Sequence, residues 1–446
     1  MGWVGCRTRP VGEPMCLTLR PRAALLASRS MRDALSLGTA AALLLAGCAA
    51  LLAGCAAEEP DGGQTPGATE DPQGTTEEEP APGQAQEETA EDDETADPPA
   101  QDPSSEDPVT GFETVAHEEF NTPWAMVFLP GTDLLLLTER TGALQLRDQD
   151  SGEVTEVTGA PEVVSDGQGG MHDVIAGPDF EQDQVIYLSW VREADGGSQG
   201  VVGRARLDVD QAALENLEVI WEQDPAPGNG HFALRMALVD ELLYVTSGDR
   251  QELQPAQDMG TNLGTIVRLT LEGDPAPGNP FADDGGVAAQ FWTTGHRNPL
   301  GIDVDSQGNL WSSEMGPAGG DELNFIVEGA NYGWPEVSMG EHYDGAAIPD
   351  HAEGDGFEAP REYWVPAISP GNLLIYSGDL FTGWADNALL GGLSGQNLVR
   401  VELDGEDAEQ VDEWDMGDRI RALAEAPDGA IWIATDSGTL LELRPE

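Results

Sequence analysis

The residues best suited to chemistry lie in a few loops between short apolar runs. Residues 295–301 read Gly-His-Arg-Asn-Pro-Leu-Gly, which places the cation Arg297 and the amide Asn298 between two apolar strands. An Arg held between buried residues needs an anionic partner, because an unpaired buried charge is costly. Farther along the chain, Arg419 and Arg421 are separated by one residue and therefore share one face of a strand. These guanidinium groups predict an anionic partner.

Other loops have residues that suit a metal ion and a proton transfer. Residues 314–322 carry carboxylates at both ends of a Gly-rich segment, and residues 331–335 read Asn-Tyr-Gly-Trp-Pro. Carboxylates amid Gly-rich backbone suit a hard cation such as Ca²⁺, which takes carboxylate and carbonyl oxygens. The loop 229–231 supplies His231, an imidazole whose ordinary pKa suits general-base work.

The segments that carry these loops are β-strands separated by Gly, Asp and Pro turns. From residue 109 onward helical periodicity is almost absent. A recurring unit consists of an apolar strand, a turn, a second strand ending in Thr or Ser plus an acid, and a third strand. It occurs at 124–146, 172–190, 234–269, 301–325, 373–403 and 420–443.

Six such units, of about 56 residues each, predict an all-β fold: a six-bladed β-propeller of four-stranded antiparallel blades. Residues 112–118 are expected to complete the last blade. A two-sheet sandwich or two smaller β domains is the alternative. Propellers place their ligand sites at one mouth of the central channel, where loops from every blade converge.

Composition excludes several classes of function. The 446 residues carry 20 basic and 82 acidic side chains, a formal net charge of −62. Nucleic-acid binding needs clustered cations to neutralise phosphates, so it is excluded, and so is electrostatic attraction to an anionic membrane. Residues 109–446 hold 62 acidic side chains against 14 Arg, which predicts a surface adapted to high salt. All four Cys precede residue 56, so no disulfide framework or thiolate site is expected in the body.

The first 108 residues predict an exported, tethered protein. Residues 1–57 contain an apolar run at 35–46 followed by Leu-Ala-Gly-Cys at Cys48, and the same four residues recur at Cys55. This resembles a bacterial lipobox, so we expect a lipoprotein-type signal with lipidation at Cys48 or Cys55, at a cell surface or periplasm-equivalent. An ordinary secretory signal is the alternative. Met31 also starts a conventional signal, so residues 1–30 are interpreted as a mis-called start of the chain. Residues 58–108, with 18 acidic and no basic residues, predict a disordered acidic linker, so contact with a membrane is expected only through the lipid anchor.

The ordered motifs resemble those of one enzyme family. Gly-His-Arg-Asn-Pro, Glu-x-Gly-Pro-x-Gly-Gly-Asp-Glu, Asn-Tyr-Gly-Trp-Pro and Arg-Ile-Arg, preceded by the turn 168–170, are similar to those of the pyrroloquinoline quinone (PQQ)-dependent soluble aldose sugar and glucose dehydrogenases. The similarity covers roughly residues 120–444. It implies a six-bladed propeller that binds PQQ and Ca²⁺ at one channel mouth. It also implies oxidation of aldose sugars to lactones by hydride transfer to PQQ, with electrons passed to an external acceptor.

The resemblance implies a role for each matched residue. His231 is expected to be the base that takes the proton of the anomeric hydroxyl, and Asp249 the acid that holds and polarises it. The expected cofactor contacts are Gln168, Arg297, Asn298, Tyr343, Arg419 and Arg421. The carbonyls of Gly316 and Pro317 match ligands of the catalytic Ca²⁺, whereas Glu322 and Tyr332 match a second, structural Ca²⁺. The remaining histidines, His117, His172, His296, His342 and His351, are expected to be structural or on the surface.

Two departures from the family pattern motivate an alternative function. Leu300 stands where the family commonly has Gln, and the region near Ser394 lacks a Lys that some members use to bind PQQ. The alternative is a non-catalytic carbohydrate- or protein-binding propeller lipoprotein. A metal-dependent lactonase would need carboxylate and Asn ligands on the axis, and the Arg-rich set disfavours it. The sugar, the acceptor and the oligomeric state stay open at this point.

Overall fold

A computed structural model describes residues 109–446 of the chain. The predicted signal segment 1–57, with Cys48 and Cys55, and the predicted linker 58–108 lie outside the described residues. Within 109–446 the strands form six four-stranded sheets. Neighbouring strands pair antiparallel in each sheet. The prediction of a six-bladed propeller is therefore confirmed.

The first strand in the chain, β1 (Phe112–Glu119), belongs to the last blade, and the next twelve strands build blades 1 to 3. Blade 1 consists of β2 (Pro123–Phe128), β3 (Leu134–Glu139), β4 (Leu144–Asp148) and β5 (Val154–Glu156). Blade 2 consists of β6 (Met171–Ala176), β7 (Val185–Ala194), β8 (Gly197–Asp208) and β9 (Ala213–Glu222). Blade 3 consists of β10 (Ala233–Val239), β11 (Leu242–Ser247), β12 (Thr265–Leu269) and β13 (Phe291–Thr294).

The second half of the ring repeats this order. Blade 4 consists of β14 (Pro299–Val304), β15 (Leu310–Glu314), β16 (Asp321–Phe325) and β17 (Glu362–Trp364). Blade 5 consists of β18 (Leu374–Ile375), β19 (Ala388–Gly391), β20 (Asn397–Asp404) and β21 (Asp407–Asp415). Blade 6 consists of β22 (Ile420–Glu425), β23 (Ile431–Thr435), β24 (Thr439–Pro445) and β1.

Helices are short and lie between strands. They are α1 (Phe180–Asp183) and three 3₁₀ segments, Gln254–Gln257, Ala282–Asp284 and Gly286–Gln290. Across residues 109–446, none of them has the length and apolar character that a membrane crossing requires.

The ring closes by pairing the two ends of the described chain. β1 runs antiparallel to β24, with Phe112 opposite Pro445 and Ala116 opposite Leu441. Glu118 on β1 accepts a hydrogen bond from Arg147 Nε of blade 1 at 2.6 Å, so the closing strand also contacts the first blade. The expectation that residues 112–118 complete the last blade is confirmed.

Burial of the middle strands explains their continuous apolar runs. In β3 the side chains of Leu135, Leu136 and Leu137 have no exposed surface. Leu136 packs in the core shared with blade 2, whereas Leu135 and Leu137 pack in the core shared with blade 6. Each blade is thus buried on both faces, which favours unbroken apolar strands. The outermost strand β21 instead alternates exposed and half-buried residues, as expected for one solvated face.

A single buried guanidinium links the six blades at the channel axis. Arg235, on the inner strand β10, is 7 % exposed. Its hydrogen bonds reach one residue in or next to the inner strand of each of the other five blades. The acceptors are Leu300 O at 3.0 Å, Gly371 O at 2.8 Å, Trp124 O and Arg421 O at 3.3 Å, and Asp173 Oδ1 at 3.4 Å. Arg235 therefore fixes the spacing of the inner strands just below the channel mouth.

Candidate active site

The loops that carry the sequence motifs meet at one mouth of the channel. In each blade the inner strand begins where the second strand ends, because the two strands are antiparallel. A cavity of about 360 Å³, the mouth cavity, opens at this level. Its lining includes Trp124, Arg140, Gln168, Leu300, Arg421 and Asp436. A second channel cavity of about 500 Å³ follows farther along the inner strands and is lined by Arg235.

His231 and Asp249 form a buried pair beside this mouth. Asp249 Oδ1 lies 2.7 Å from His231 Nδ1, and Asp249 has no exposed surface. The carboxylate is itself held, because Oδ2 accepts from Trp334 Nε1 at 2.7 Å and Oδ1 accepts from the Gln251 amide at 2.8 Å. A carboxylate only accepts, so Nδ1 carries the proton and the lone pair lies on Nε2. No side chain or backbone group in residues 109–446 hydrogen-bonds Nε2.

Burial keeps this imidazole neutral. It lowers the pKa of His231 below the ordinary 6.5; the hydrogen bond that His231 donates to Asp249 opposes this shift, and the charge of Arg297 adds to it. A neutral imidazole with a free Nε2 is the form that accepts a proton. The pair can therefore act as an oriented base at neutral pH.

Backbone contacts bring the two segments of the pair together. The amide of His231 donates to Gln168 Oε1 at 2.6 Å, and the amide of Gln168 donates to Asn229 O at 2.7 Å. Gly248 is required at its position, since a Cβ there would lie 2.1 Å from His231 O. Gln168, a predicted cofactor contact, thus lines the mouth cavity and holds the backbone of His231.

Arg297 and Asn298 are buried at the start of blade 4. Arg297 Nη1 donates to Met315 O at 2.8 Å and Nη2 to the hydroxyl of Tyr343 at 3.3 Å. Arg297 Nε and Asn298 Oδ1 are buried, and neither has a hydrogen-bond partner within the described part of the chain. Tyr343 is 77 % exposed and lies over Arg297, whose Cζ is 5.8 Å from the ring centroid. The structure thus brings the predicted contacts Arg297, Asn298 and Tyr343 together.

Arg419 and Arg421 share one carboxylate, Asp436. Arg419 Nε donates to Asp436 Oδ2 at 2.7 Å, and Arg421 Nε donates to Oδ1 at 2.8 Å. Arg421 also lies over the ring of Trp124, with Cζ 4.3 Å from its centroid. Trp124 Nε1 is buried without a partner among the described residues. The wall of the mouth cavity thus combines cationic groups with an unused N–H donor.

Three of the four predicted calcium ligands line a smaller cavity. Glu322 and Tyr332 line a space of about 10 Å³ with Glu314 and Gly316, enough for one small ion or water. Pro317 lines neither this cavity nor the mouth cavity. Burial, and then the charge of Glu314, raise the pKa of Glu322 to about 8.

This region suits a cation only if backbone oxygens take part. Two neighbouring buried carboxylates favour a positive partner. However, among residues 109–446 no three His, Cys, Asp or Glu side chains are grouped as metal ligands. The hydroxyl of Tyr332 is used by the backbone, donating to Phe325 O at 2.5 Å and accepting from the Val327 amide at 2.9 Å. Carbonyl oxygens would therefore complete the ligand set.

Several residues at the site were not identified from the sequence. They are Trp124, Arg140, Arg250 and Asp436. A signal for Asp436 exists, since the second strand of each recurring unit ends in Thr or Ser plus an acid. Ser313–Glu314 and Thr435–Asp436 follow this rule, as do Thr138–Glu139 and Ser247–Asp249 with one Gly inserted. These strand ends all lie at the channel mouth.

Comparisons with known proteins identify the family of the chain. The profile of the glucose/sorbosone dehydrogenase family matches residues 120–442. The chain is 34% identical over 349 residues to the aldose sugar dehydrogenase YliI of Escherichia coli, covering 76% of this chain and 94% of that protein.

Solved structures extend the similarity to the whole propeller. A soluble aldose sugar dehydrogenase from Escherichia coli, solved in its apo form, superposes with a TM-score of 0.72 at 32% identity, covering 75% of this chain and all of that one. The PQQ-bound form of an aldose sugar dehydrogenase from Streptomyces coelicolor gives a TM-score of 0.62 at 27% identity, covering 76% of this chain and 100% of that one.

Proposed function

The chain belongs to the glucose/sorbosone dehydrogenase family, and we propose that it oxidises aldose sugars at the anomeric carbon to lactones. PQQ is the proposed cofactor, Ca²⁺ its proposed partner ion, and an external acceptor the destination of the electrons. The observation that carries the proposal is the His231–Asp249 pair, with its free Nε2, beside the mouth cavity.

The residues of the mouth cavity fit a flat polycarboxylate. PQQ carries three carboxylates, and guanidinium forks bind carboxylates in bidentate geometry. Arg421 and Arg140 line the cavity, and the buried Trp124 Nε1 lacks a partner among the described residues. A buried donor without an acceptor costs free energy. A ligand oxygen at this position would supply the missing acceptor.

The chain's own groups divide the work as follows. When bound, PQQ supplies the two-electron acceptor for the anomeric hydride, and Ca²⁺ supplies Lewis-acid polarisation. His231 Nε2 takes the proton of the anomeric hydroxyl, and Asp249 stabilises the imidazolium that forms. Arg421 and Arg140 bind and orient the cofactor carboxylates. The carbonyl of Gly316 is the candidate oxygen donor for this Ca²⁺, whereas the carboxylates of Glu314 and Glu322 are candidate donors for the second, structural Ca²⁺.

A titration of the full chain tests this function. PQQ added with Ca²⁺ is expected to change its absorbance on binding, and aldoses are then expected to drive dye reduction. Chelation of Ca²⁺ with EDTA is expected to abolish the dye reduction, and added Ca²⁺ to restore it. Sugar binding without any PQQ binding would instead support the non-catalytic alternative.

Restoring an amide at position 300 is expected to tighten PQQ binding. Leu300 lines the mouth cavity, where the family commonly has Gln. In Leu300→Gln the dissociation constant for PQQ should fall about two- to tenfold, because one added hydrogen bond is worth about 0.5–1.5 kcal/mol net. Leu300→Met keeps the volume without the amide and should leave the constant unchanged. Equal affinity in both variants would contradict the placement of the cofactor against residue 300.

We also propose that the protein is exported and lipid-anchored through Cys48 or Cys55. The support is the repeated Leu-Ala-Gly-Cys sequence after the apolar run 35–46. Acyl labelling of the mature protein, with each Cys changed to Ser in turn, tests this proposal. One variant should lose the label, and an unlabelled wild type would overturn the anchor.

A further inference from the structure

We propose that Arg250 is a positioning residue for His231, holding the backbone of the loop 228–231 so that the imidazole stays aligned with Asp249. This inference rests on the proposed function, because it takes His231 as the base. Arg250 directly follows Asp249 in the chain. One short segment therefore holds His231 twice, by its ring through Asp249 and by its main chain through Arg250.

The N–H groups of Arg250 donate hydrogen bonds to the loop 228–231 and to Ser198. Nε donates to Gly230 O at 3.0 Å, and Nη2 donates to Gly228 O at 2.5 Å. Nη1 donates to Ser198 O at 2.8 Å, and Nη2 also reaches Ser198 Oγ at 3.0 Å. The amide of Arg250 donates to His231 O at 3.3 Å. Arg250 thus hydrogen-bonds the loop at three residues, Gly228, Gly230 and His231.

The environment of Arg250 is unusual for a cation. The residue has no exposed surface, and no carboxylate among the described residues forms an ion pair with its guanidinium. Its Cζ lies 3.7 Å from the centroid of the Phe232 ring, within cation–π range. Burial lowers the pKa of Arg250 to about 10, and Asp249 and Glu252 partly offset the shift. A buried cation held only by carbonyls, a hydroxyl and a ring is costly, which argues for a local purpose.

Two backbone segments are strained, one at and just after the loop that Arg250 holds and one at Arg250 itself. Positive φ angles occur at His231 (48°), Ala233 (61°) and Leu234 (68°), and again at Arg250 (56°) and Gln251 (64°). Non-Gly residues in this region cost of order 1 kcal/mol or more each and persist only where the surroundings enforce them. The two strained segments face each other across the His231–Asp249 contact. Without the hydrogen bonds from Arg250, the loop 228–231 is free to relax, and the imidazole of His231 can then move away from Asp249.

The test compares Arg250→Gln with a matched control in the same blade. Arg268 on β12 also lies over an aromatic ring, with Cζ 4.1 Å from Trp292, and Nε donates to Asn279 Oδ1 at 2.8 Å. It touches neither His231 nor Asp249. Arg250→Gln should lower kcat of the PQQ-loaded enzyme about 100-fold, since a misplacement of about 1 Å can cost that much. Arg268→Gln should keep kcat, and Arg250→Lys should give an intermediate value.

A second measurement does not use activity. The imidazole of His231 is titrated by NMR in the PQQ-free full chain, with its signal identified by its loss in His231→Gln. The charged groups that act on this ring are Asp249, Arg297 and Glu314, and all remain in Arg250→Gln. Release of the loop admits water, so the pKa of His231 should rise towards 6.5 in Arg250→Gln and stay at the wild-type value in Arg268→Gln.

The outcomes separate this inference from the proposed function. If the wild type oxidises aldoses and Arg250→Gln matches Arg268→Gln in kcat and in the His231 titration, Arg250 is a structural residue only and the inference is wrong. If the wild type shows no PQQ-dependent oxidation, the proposed function fails, and the NMR titration still decides whether Arg250 holds His231. Should Arg250→Gln fail to fold, Arg250→Lys is judged by the same two measurements.

Discussion

Replacing His231 by Gln is expected to lower kcat/KM for aldose oxidation by about 10²- to 10⁴-fold, the range typical of a lost general base. PQQ affinity should change little, because the guanidinium groups that line the mouth cavity are untouched. Gln keeps a polar side chain of similar reach but cannot take the proton at neutral pH. Steady-state kinetics together with a PQQ absorbance titration of the same variant separate the two effects.

The role of His231 as a base also predicts the direction in which the oxidation rate changes with pH. The base works in its neutral form, and burial lowers the pKa of His231 below 6.5. The acid limb of the wild-type profile should therefore have its midpoint below pH 6.5, and this limb should be absent in His231→Gln. His117→Gln is the control. The ring of His117 stacks on that of Trp432, with 4.6 Å between the ring centroids, and it does not line the mouth cavity. An equal loss in both variants would contradict a catalytic role for His231.

Replacing Arg235 by Met is expected to lower the free energy of unfolding by about 3–5 kcal/mol, as for other broken buried ion pairs. Arg235 donates hydrogen bonds to one group from each of the other five blades. Its loss leaves four backbone carbonyls and the carboxylate of Asp173 without their cation. Burial already raises the pKa of Asp173 with Arg235 in place, so an isolated carboxylate there is unfavourable. Urea unfolding measures the loss: the midpoint should shift to lower urea concentration while the m-value stays unchanged.

Two further variants make the stability prediction specific. Arg235→Met with Asp173→Leu removes both charges and should recover part of the stability, because apolar replacement of a whole buried pair is often neutral. Arg192→Ala removes a partly exposed ion pair with Glu222 and should change the stability by less than about 1 kcal/mol. If Arg235→Met were as mild as Arg192→Ala, the axial contacts would carry little energy.

Much of the fold could be predicted from the chain because its signals are local. Six recurrences of strand, turn and acid-terminated strand indicated six blades, and the apolar run of β3 indicated burial on both faces. The ordered motifs singled out His231, Asp249 and Arg297, and the structure places the loops that carry them at the channel mouth. Which charges meet was not predictable, because it depends on contacts between distant residues. Arg421 and Asp436 are separated by a turn and a full strand, and Arg235 contacts Trp124 from 111 positions away.

Sequence alone determined the number of blades and the excess of acidic side chains, since these follow from periodicity and composition. It also indicated that the motif loops meet at one mouth, because propeller loops from every blade converge there. Tertiary structure decided how those residues are used. Asp436 became the shared partner of two Arg residues, and Arg250 became a buried cation that donates to the backbone of the loop 228–231. The physical reason is that ring closure and antiparallel register fix the three-dimensional neighbours of each strand end. A guanidinium then binds whichever carbonyls and carboxylates that geometry presents.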